Sequence, residues 1–421
     1  MKIPWFPRWK PSSPLHWAWY WLGYALLLGL LVYWLPEDSH GDRWYWMHWT
    51  RYCFEHELGS IYSFRIDGHV LTNYHPLYLH FLNAFSGFFS DWDTLYANLY
   101  RIKIFALGFD FLGALARFLI LPREQRRPWL PLFLLLNLAY LYNSIVWGQI
   151  DSVFTVWSLL ALIFGLRQRP DWAIVCYLLA LNTKLQSIIF LPLVGLVLLP
   201  SLRLQWRRVG WGLLTAGLVQ LLLLWPFIRA GQLPVMWQTL TTGSVDLYPR
   251  TSLSAFNFWY LFFGDNTLFV SDREYWGGWT YKQWGLLLFC LSSALSLLPL
   301  ALRSLACTWR GEALAEDSAE LVFLTACLVA VGFFYFNTQM HERYSHPALL
   351  MAFYYGALRG RYLLYLLLSL AYFLNLERVM QAFEWDYRSL WFQPEGVALL
   401  FGLVLLLGLG ALYRPRGPDR H

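Results

Sequence analysis

The sequence predicts an all-α integral membrane protein, and three observations lead to this prediction. The chain has 421 residues, of which 58% are hydrophobic and 14% are charged, whereas a soluble protein carries roughly 25% charged residues. Aromatic residues make up 19% of the chain and include 25 tryptophans, which is typical of belts at membrane–water interfaces. Long apolar runs also alternate with short polar turns. We therefore expect a single polytopic membrane domain over residues 1–421, without a separate soluble domain.

The apolar runs predict the path of the chain through the bilayer. A spanning helix needs roughly 20 mostly apolar residues, and about twelve segments approach this length. Basic residues occupy alternate turns and acidic residues concentrate in the others, so the positive-inside rule places both termini in the cytoplasm. Residues 1–14 are basic, but no small-residue cleavage site follows, so the first run is interpreted as a retained span. The predicted spans cover residues 17–35, 97–121, 129–146, 153–167, 171–182, 187–202, 209–228, 283–302, 319–336, 347–358, 362–376 and 397–413.

Two large loops fall on the predicted outer face. The first, residues 36–96, is crowded with acids, histidines and tryptophans and is where we expect the chemistry. Within it, residues 75–89 are apolar but too short to span a bilayer, so they predict a juxtamembrane helix lying in the outer interface. The second loop, residues 229–282, is rich in Trp, Tyr, Asn and Gly and is expected to shape substrate choice.

Composition and spacing argue against several other classes of protein. The five cysteines are scattered and form no CxxC pair, so neither a disulfide framework nor a zinc site is predicted. The formal net charge of +6 follows the predicted topology and does not indicate a nucleic-acid partner. HExxH and EF-hand spacings are absent from the sequence, so no dedicated metal site and no cofactor are predicted. Whether a divalent cation assists is left open.

Four polar sets fall at the predicted outer face, although they are far apart in the sequence. Ionisable groups at the ends of spans are costly unless they are paired or face a watery cavity. One shared cavity would explain all four sets together. The sets are Asp42 with Glu37 and Asp38; the NYHPL segment at 73–77; Gln149 and Asp151 with Lys184 and Gln186; and Gln339, His341, Glu342 and Arg343.

Each of these residues also has a structural explanation. Asp42 is one of three acids in a polar loop, and Lys184 is placed to snorkel from a helix end. Glu342 and Arg343 are adjacent in sequence and suit a local ion pair. Arg101 suits either an interfacial anchor or a phosphate contact. Residue types alone therefore leave the roles of these side chains open.

At these residues the chain resembles the GT-C superfamily of polyprenyl-phosphate-dependent glycosyltransferases. Gly41 and Asp42, an aromatic-rich helix and the GSIY segment at 59–62 resemble the first outer loop of these enzymes. The NYHPL segment resembles their N/D-Y-P-P-L element, with His75 in place of the first proline. WGQIDS at 147–152, KLQ at 184–186 followed by LP at 191–192, and MHERY at 340–344 resemble motifs of the ER lipid-linked-oligosaccharide glucosyltransferases and of bacterial relatives of GPI mannosyltransferases.

The resemblance implies a membrane enzyme that moves one sugar, mannose favoured, from a polyprenyl-phosphate donor to a hydroxyl acceptor on the outer face. It also implies inversion at the anomeric carbon. The acceptor hydroxyl needs a base, for which Asp42 is the candidate, and cations would stabilise the departing phosphate. Candidate phosphate-binding residues are Lys184, Arg343, His341 and Arg101. Candidate substrate-binding residues are Tyr74, His75, Gln149, Asp151, Gln186, Glu342 and Trp44. The tryptophans Trp44, Trp46 and Trp49 suit either stacking on sugar faces or anchoring at the membrane interface.

The predicted partners are the lipid-linked donor, an acceptor that is a glycolipid, an oligosaccharide or a protein, and membrane lipid, with no nucleic acid. The membrane is the plasma (inner) membrane for a prokaryotic source and the ER for a eukaryotic one. The alternative function is a transporter or flippase of lipid-linked sugars. Transporters usually place charges near the bilayer midplane and show internal repeats, and neither feature is evident here. A non-catalytic scaffold would not need these charges on one face.

Overall fold

The computed structural model describes residues 14–36, 41–66, 69–70, 72–120, 127–243, 248–314 and 318–414. In this part of the chain the protein is all-α, as predicted, with 19 α-helices and two short antiparallel hairpins. One hairpin pairs β1 (Arg65–Ile66) with β2 (His69–Val70), and the other pairs β3 (Tyr275–Trp276) with β4 (Trp279–Thr280).

Six helical segments are long and apolar enough to cross a membrane, which indicates a multi-pass membrane protein. These segments differ in how much of their surface is buried within the protein. Helix α16 (Ala319–Phe336) is mostly buried by its neighbours, whereas α12 (Trp206–Arg229) and α15 (Tyr281–Arg310) keep most of their leucines exposed. A helix that is apolar all round belongs in a core, and one with exposed leucines belongs against lipid. The segments are a 3₁₀ turn continued by α11 (Leu185–Leu204), α12 (Trp206–Arg229), α15 (Tyr281–Arg310), α16 (Ala319–Phe336), α18 (Leu363–Met380) and α19 (Pro394–Tyr413).

The remaining predicted spans coincide with shorter or interrupted helices, so the number of segments that cross the membrane stays a prediction. The predicted continuous span over residues 129–146 is wrong in one respect, because the helix breaks at Asn137. The Asn137 side chain accepts a hydrogen bond from the Tyr140 N–H and so caps a new helix. These elements are α1 (Pro14–Tyr33), α5 (Lys103–Leu115), α6 (Arg117–Ile120), α7 (Leu130–Leu135), α8 (Leu138–Tyr142), α9 (Asp151–Leu166), α10 (Pro170–Thr183) and α17 (His346–Arg359).

The first large loop folds into a small hydrophobic core of its own, built on α2 (Arg43–Glu55), α3 (Pro76–Ser86) and α4 (Trp92–Ala97). The helix predicted within residues 75–89 is α3, which begins at Pro76 because proline suits the first helical turn. Its place relative to a membrane stays a prediction. Buried tryptophans of α2 pack in this core together with residues of α9 and α12, which fixes the loop onto the helix bundle.

The second large loop carries α13 (Leu233–Gln238), α14 (Tyr260–Phe263) and the β3–β4 hairpin. Its backbone bonds to the turn between α16 and α17, where the Leu253 N–H donates to the Met340 carbonyl over 2.8 Å. The same end of the bundle holds the start of α9, the end of α10 and the start of α2. The polar segments from distant parts of the sequence therefore meet at one end of the bundle.

Candidate functional site

Asp42 lies immediately before α2, where a side chain commonly caps the helix. Its carboxylate makes no such cap and instead accepts a hydrogen bond of 2.5 Å from Gln149 Nε2. Asp42 is 24% exposed at its side chain, so it is both held in place and open to solvent. The two neighbouring acids, Glu37 and Asp38, lie outside the described residues.

Gln149 bridges the first two polar sets. Its amide nitrogen binds Asp42, and its amide oxygen accepts a hydrogen bond of 3.2 Å from the Tyr74 hydroxyl. The preceding residue, Gly148, has φ of +82°, and a Cβ there would lie 2.2 Å from the Trp46 ring. Glycine at this turn therefore lets α2 approach closely enough for Asp42 to reach Gln149.

Asp151 and Lys184 form a buried ion pair. Asp151 is the first residue of α9, where the helix dipole favours a negative charge. Its carboxylate accepts a hydrogen bond from Lys184 Nζ and another, of 3.3 Å, from Asn143 Nδ2. Lys184 Nζ also lies 4.8 Å from the centre of the Tyr344 ring, a cation–π geometry.

Arg343 connects the carboxylates of the cluster. Its Nη1 donates to Glu342 Oε1 over 2.8 Å, its Nη2 lies 3.7 Å from Asp42 Oδ2, and its Nε lies 3.8 Å from Asp151 Oδ2. His341 Nδ1 lies 3.8 Å from Glu342 Oε2. Arg343 thus stands between a solvent-accessible carboxylate, Asp42, and two buried ones.

The environment of Glu342 keeps this residue charged. Burial by itself would raise the pKa of the Glu342 carboxyl, but the hydrogen bond with His341 and the charge of Arg343 lower it to about 2. Burial by itself would lower the pKa of Arg343, but the carboxylates of Glu342, Asp42 and Asp151, together with the hydroxyl of Tyr344, raise this pKa well above its usual value. Both members of the pair are therefore ionised across the physiological range.

The turn that carries His341, Glu342 and Arg343 is held by a residue that sequence reasoning missed. Asp272, in the second large loop, is fully buried and accepts hydrogen bonds from Thr338 Oγ1 over 2.9 Å and from Gln339 Nε2 over 2.7 Å. Nothing in the spacing of the sequence connects Asp272 with this turn. Asn143 and Tyr344 were missed as contacts of the ion pair for the same reason.

The other candidate residues take different places. Gln186 donates to the Tyr344 carbonyl over 3.0 Å, so it supports the Arg343 turn. Arg101 is exposed and packs against its neighbour Tyr100, and it makes no contact with the cluster among the described residues. Trp44 is exposed and contacts His48 edge-on. His75 precedes α3, and its pKa is lowered to about 4 by burial.

Two of the tryptophans considered for sugar stacking are buried in the protein. Trp46 and Trp49 each keep 2% of their surface exposed. Trp46 packs on Gly148, and Trp49 packs on the Tyr74 ring with 4.9 Å between ring centres. Their contacts are therefore structural, and Trp44 is the member of this group that faces solvent.

Within the described ranges, no group of three or more His, Cys, Asp or Glu side chains is arranged to hold a metal ion. The cluster instead combines three carboxylates, two permanent cations and one histidine. One carboxylate is open to solvent, while the cations lie close behind it. This arrangement can accept a proton at Asp42 and present positive charge to an anion bound beside it.

Comparison with models of known protein families gave no match for this chain. A search of curated proteins likewise found no significant match.

Proposed function

We propose that this protein is a membrane glycosyltransferase of the GT-C type, with about twelve spans and its active site on the outer or luminal face. It would transfer a sugar, mannose favoured, from a polyprenyl-phosphate donor to a hydroxyl on a glycolipid, an oligosaccharide or a protein. The first outer loop would supply the base and the second would shape substrate choice. The proposal is supported by the resemblance of four ordered motifs and by their meeting at one end of the bundle.

The placement of Asp42 is the observation that supports the proposal most. Asp151 and Glu342 are buried and already bonded to cations, so neither can readily take a proton from a substrate. Asp42 is the more exposed carboxylate, and the Arg343 guanidinium lies 3.7 Å from it. A general base must reach solvent-borne substrate and stay ionised at working pH. Asp42 meets the first condition, and the adjacent guanidinium favours the second.

In the proposed reaction, the acceptor oxygen bonds to the anomeric carbon while the bond from that carbon to the phosphate oxygen breaks. Asp42 takes the acceptor proton, and the lipid phosphate leaves with the bonding electron pair. Lys184 and Arg343 would stabilise the charge that collects on this phosphate, with His341 beside them. Attack opposite the leaving group inverts the anomeric carbon. Arg101 would bind the donor phosphate only if the bound donor reaches beyond the cluster.

The test is a transfer assay with purified protein in detergent, offering a panel of polyprenyl-phosphate sugars and a cell lipid extract as acceptor. Asp42→Asn should lower transfer by about 10²–10⁴-fold, because it removes a general base, while the asparagine oxygen still accepts from Gln149. Glu57→Gln, an exposed acid of the same loop, serves as the matched control and should retain activity.

Activity that survives Asp42→Asn would reject Asp42 as the base. A failure to turn over any donor, alongside measurable donor binding, would favour the alternative of a transporter of lipid-linked sugars. Thermal unfolding of each variant separates loss of chemistry from loss of fold.

A further inference from the structure

A groove of about 510 Å³ opens at the end of the bundle opposite the candidate site. It lies between the start of α16, the end of α17 and the end of α19. The proposed reaction does not use it. The residues that matter for the argument are Glu320, Leu406, Gly410, Arg359, Arg361 and Arg414.

The rim of the groove is basic. Arg359 Nη1 donates to Glu320 Oε2 over 2.9 Å, and both side chains remain partly exposed. Arg361 and Arg414 are exposed and have no ion-pair partner among the described residues. Helix α17 ends at Gly360, where φ is +68°, and Arg359 and Arg361 on either side of it both line the groove. Three arginines and one glutamate leave a formal charge of +2 at the rim.

The wall of the groove is apolar. Leu406 and Leu407 of α19 are exposed, and Leu321 and Leu324 of α16 lie behind them. A Cβ added at Gly410 would meet no atom within 4 Å, so this part of α19 borders open space. Exposed leucines on a helix that is long and apolar enough to cross a membrane face hydrocarbon, and arginines at its end face lipid headgroups.

We propose that this groove binds one anionic phospholipid. Its phosphate would lie among the three arginines, and an acyl chain would lie along the leucines of α19 past Gly410. Arginine pairs well with phosphate because its planar guanidinium donates two hydrogen bonds at once. The excess positive charge of the rim selects an anionic over a zwitterionic headgroup. This inference does not depend on the proposed function, because the groove lies at the other end of the molecule.

The test is native mass spectrometry of the full chain in detergent with dioleoyl phosphatidylglycerol or dioleoyl phosphatidylcholine. The wild type should retain the anionic lipid and lose the zwitterionic one. Arg361→Gln keeps the Arg359–Glu320 pair and should lower retention roughly fivefold, the effect of one basic residue near an anionic surface. Gly410→Leu leaves every charge in place but fills the space for the acyl chain, and it should also lower retention.

Arg207→Gln is the matched control, because Arg207 is exposed in the first turn of α12 at the same end of the bundle but outside the groove. It removes the same charge and should leave retention unchanged. Equal loss in Arg207→Gln, or equal retention of the two lipids, would overturn the proposal. Displacement of the lipid by excess inorganic phosphate would also overturn it, in favour of a soluble anion. The unfolding temperature of each variant shows whether the fold is preserved.

Discussion

At the scale of single residues, His75 shows how a departure from a motif can leave the backbone unchanged. The N/D-Y-P-P-L element that this segment resembles has proline at this position. His75 has φ of −76° and ψ of 158°. Proline holds φ near −65°, and a residue before proline is restricted to extended backbone. His75 therefore already adopts the conformation that proline would impose.

Burial makes His75 a source of pH-dependent stability. Its pKa falls to about 4 in the folded protein from a usual value of 6.5. Between these values the unfolded chain binds the proton and the folded chain does not, so stability is complete above 6.5 and falls as the pH drops toward 4. We expect His75→Pro to preserve the fold. Between roughly pH 7 and pH 4, its melting temperature should fall less steeply with decreasing pH than that of the wild type.

Thermal unfolding in detergent over this range measures the effect. His56→Gln, which replaces an exposed histidine of the same loop, should keep the wild-type slope. An unchanged slope in His75→Pro would show that the pH dependence arises elsewhere.

At the scale of elements, the contact between α2 and the turn before α9 sets the geometry of the candidate base. Trp46 lies one helical turn after Asp42 and packs on Gly148, while Gln149 holds the Asp42 carboxylate. The close contact between α2 and Gly148 therefore fixes the position of α2 and that of the Asp42 side chain before it.

Gly148→Ala should disrupt this contact. A non-glycine residue at this positive φ costs about 1–2 kcal/mol, and the added Cβ would also collide with the Trp46 ring. We expect Gly148→Ala to lower the melting temperature and to lower transfer activity relative to wild type, because displacement of α2 would separate Asp42 from Gln149.

Gly108→Ala is the control, since a Cβ there meets no atom within 4 Å. It should leave both quantities close to wild type. A Gly148→Ala protein with wild-type activity would contradict the role given to this contact.

Much of the arrangement of the helices could be predicted from the sequence. Apolar runs predict the helices themselves, and the energetic cost of an unpaired charge in the bilayer predicts that charged residues lie at the helix ends. The helices and the meeting of Asp42, Gln149, Lys184 and Arg343 at one end follow from these rules. The break at Asn137 could not be predicted, because an asparagine inside an apolar run is equally compatible with a continuous helix. The bonds of Asp272 to the α16–α17 turn depend on tertiary contacts that leave no periodic signal.

At the scale of the whole molecule, the candidate site and the proposed lipid-binding groove lie at opposite ends of one helix bundle. The α16–α17 turn belongs to the site, and the other ends of the same two helices border the groove. The predicted topology places the first end outside and the second in the cytoplasm.

Thiol labelling tests this orientation. In a background with Cys290 and Cys307 replaced by serine, Ser90→Cys and Glu312→Cys each introduce one exposed thiol, and the other cysteines are buried. A membrane-impermeant maleimide should label Ser90→Cys on intact cells and Glu312→Cys only after permeabilisation. Both proteins should label equally once solubilised, and the reverse pattern would invert the topology.

The position of Arg343 in the chain has a consequence for biosynthesis. Asp151 and Lys184 emerge close together and can pair as soon as α9 and α10 are inserted. Asp42 is made early, but the arginine that neutralises it belongs to a turn made after α16. Until the ribosome has passed that turn, the first large loop carries Asp42 without this partner. The nascent chain can therefore form the Asp151–Lys184 ion pair first, and the cluster becomes complete only after α16 and the turn that follows it have been made.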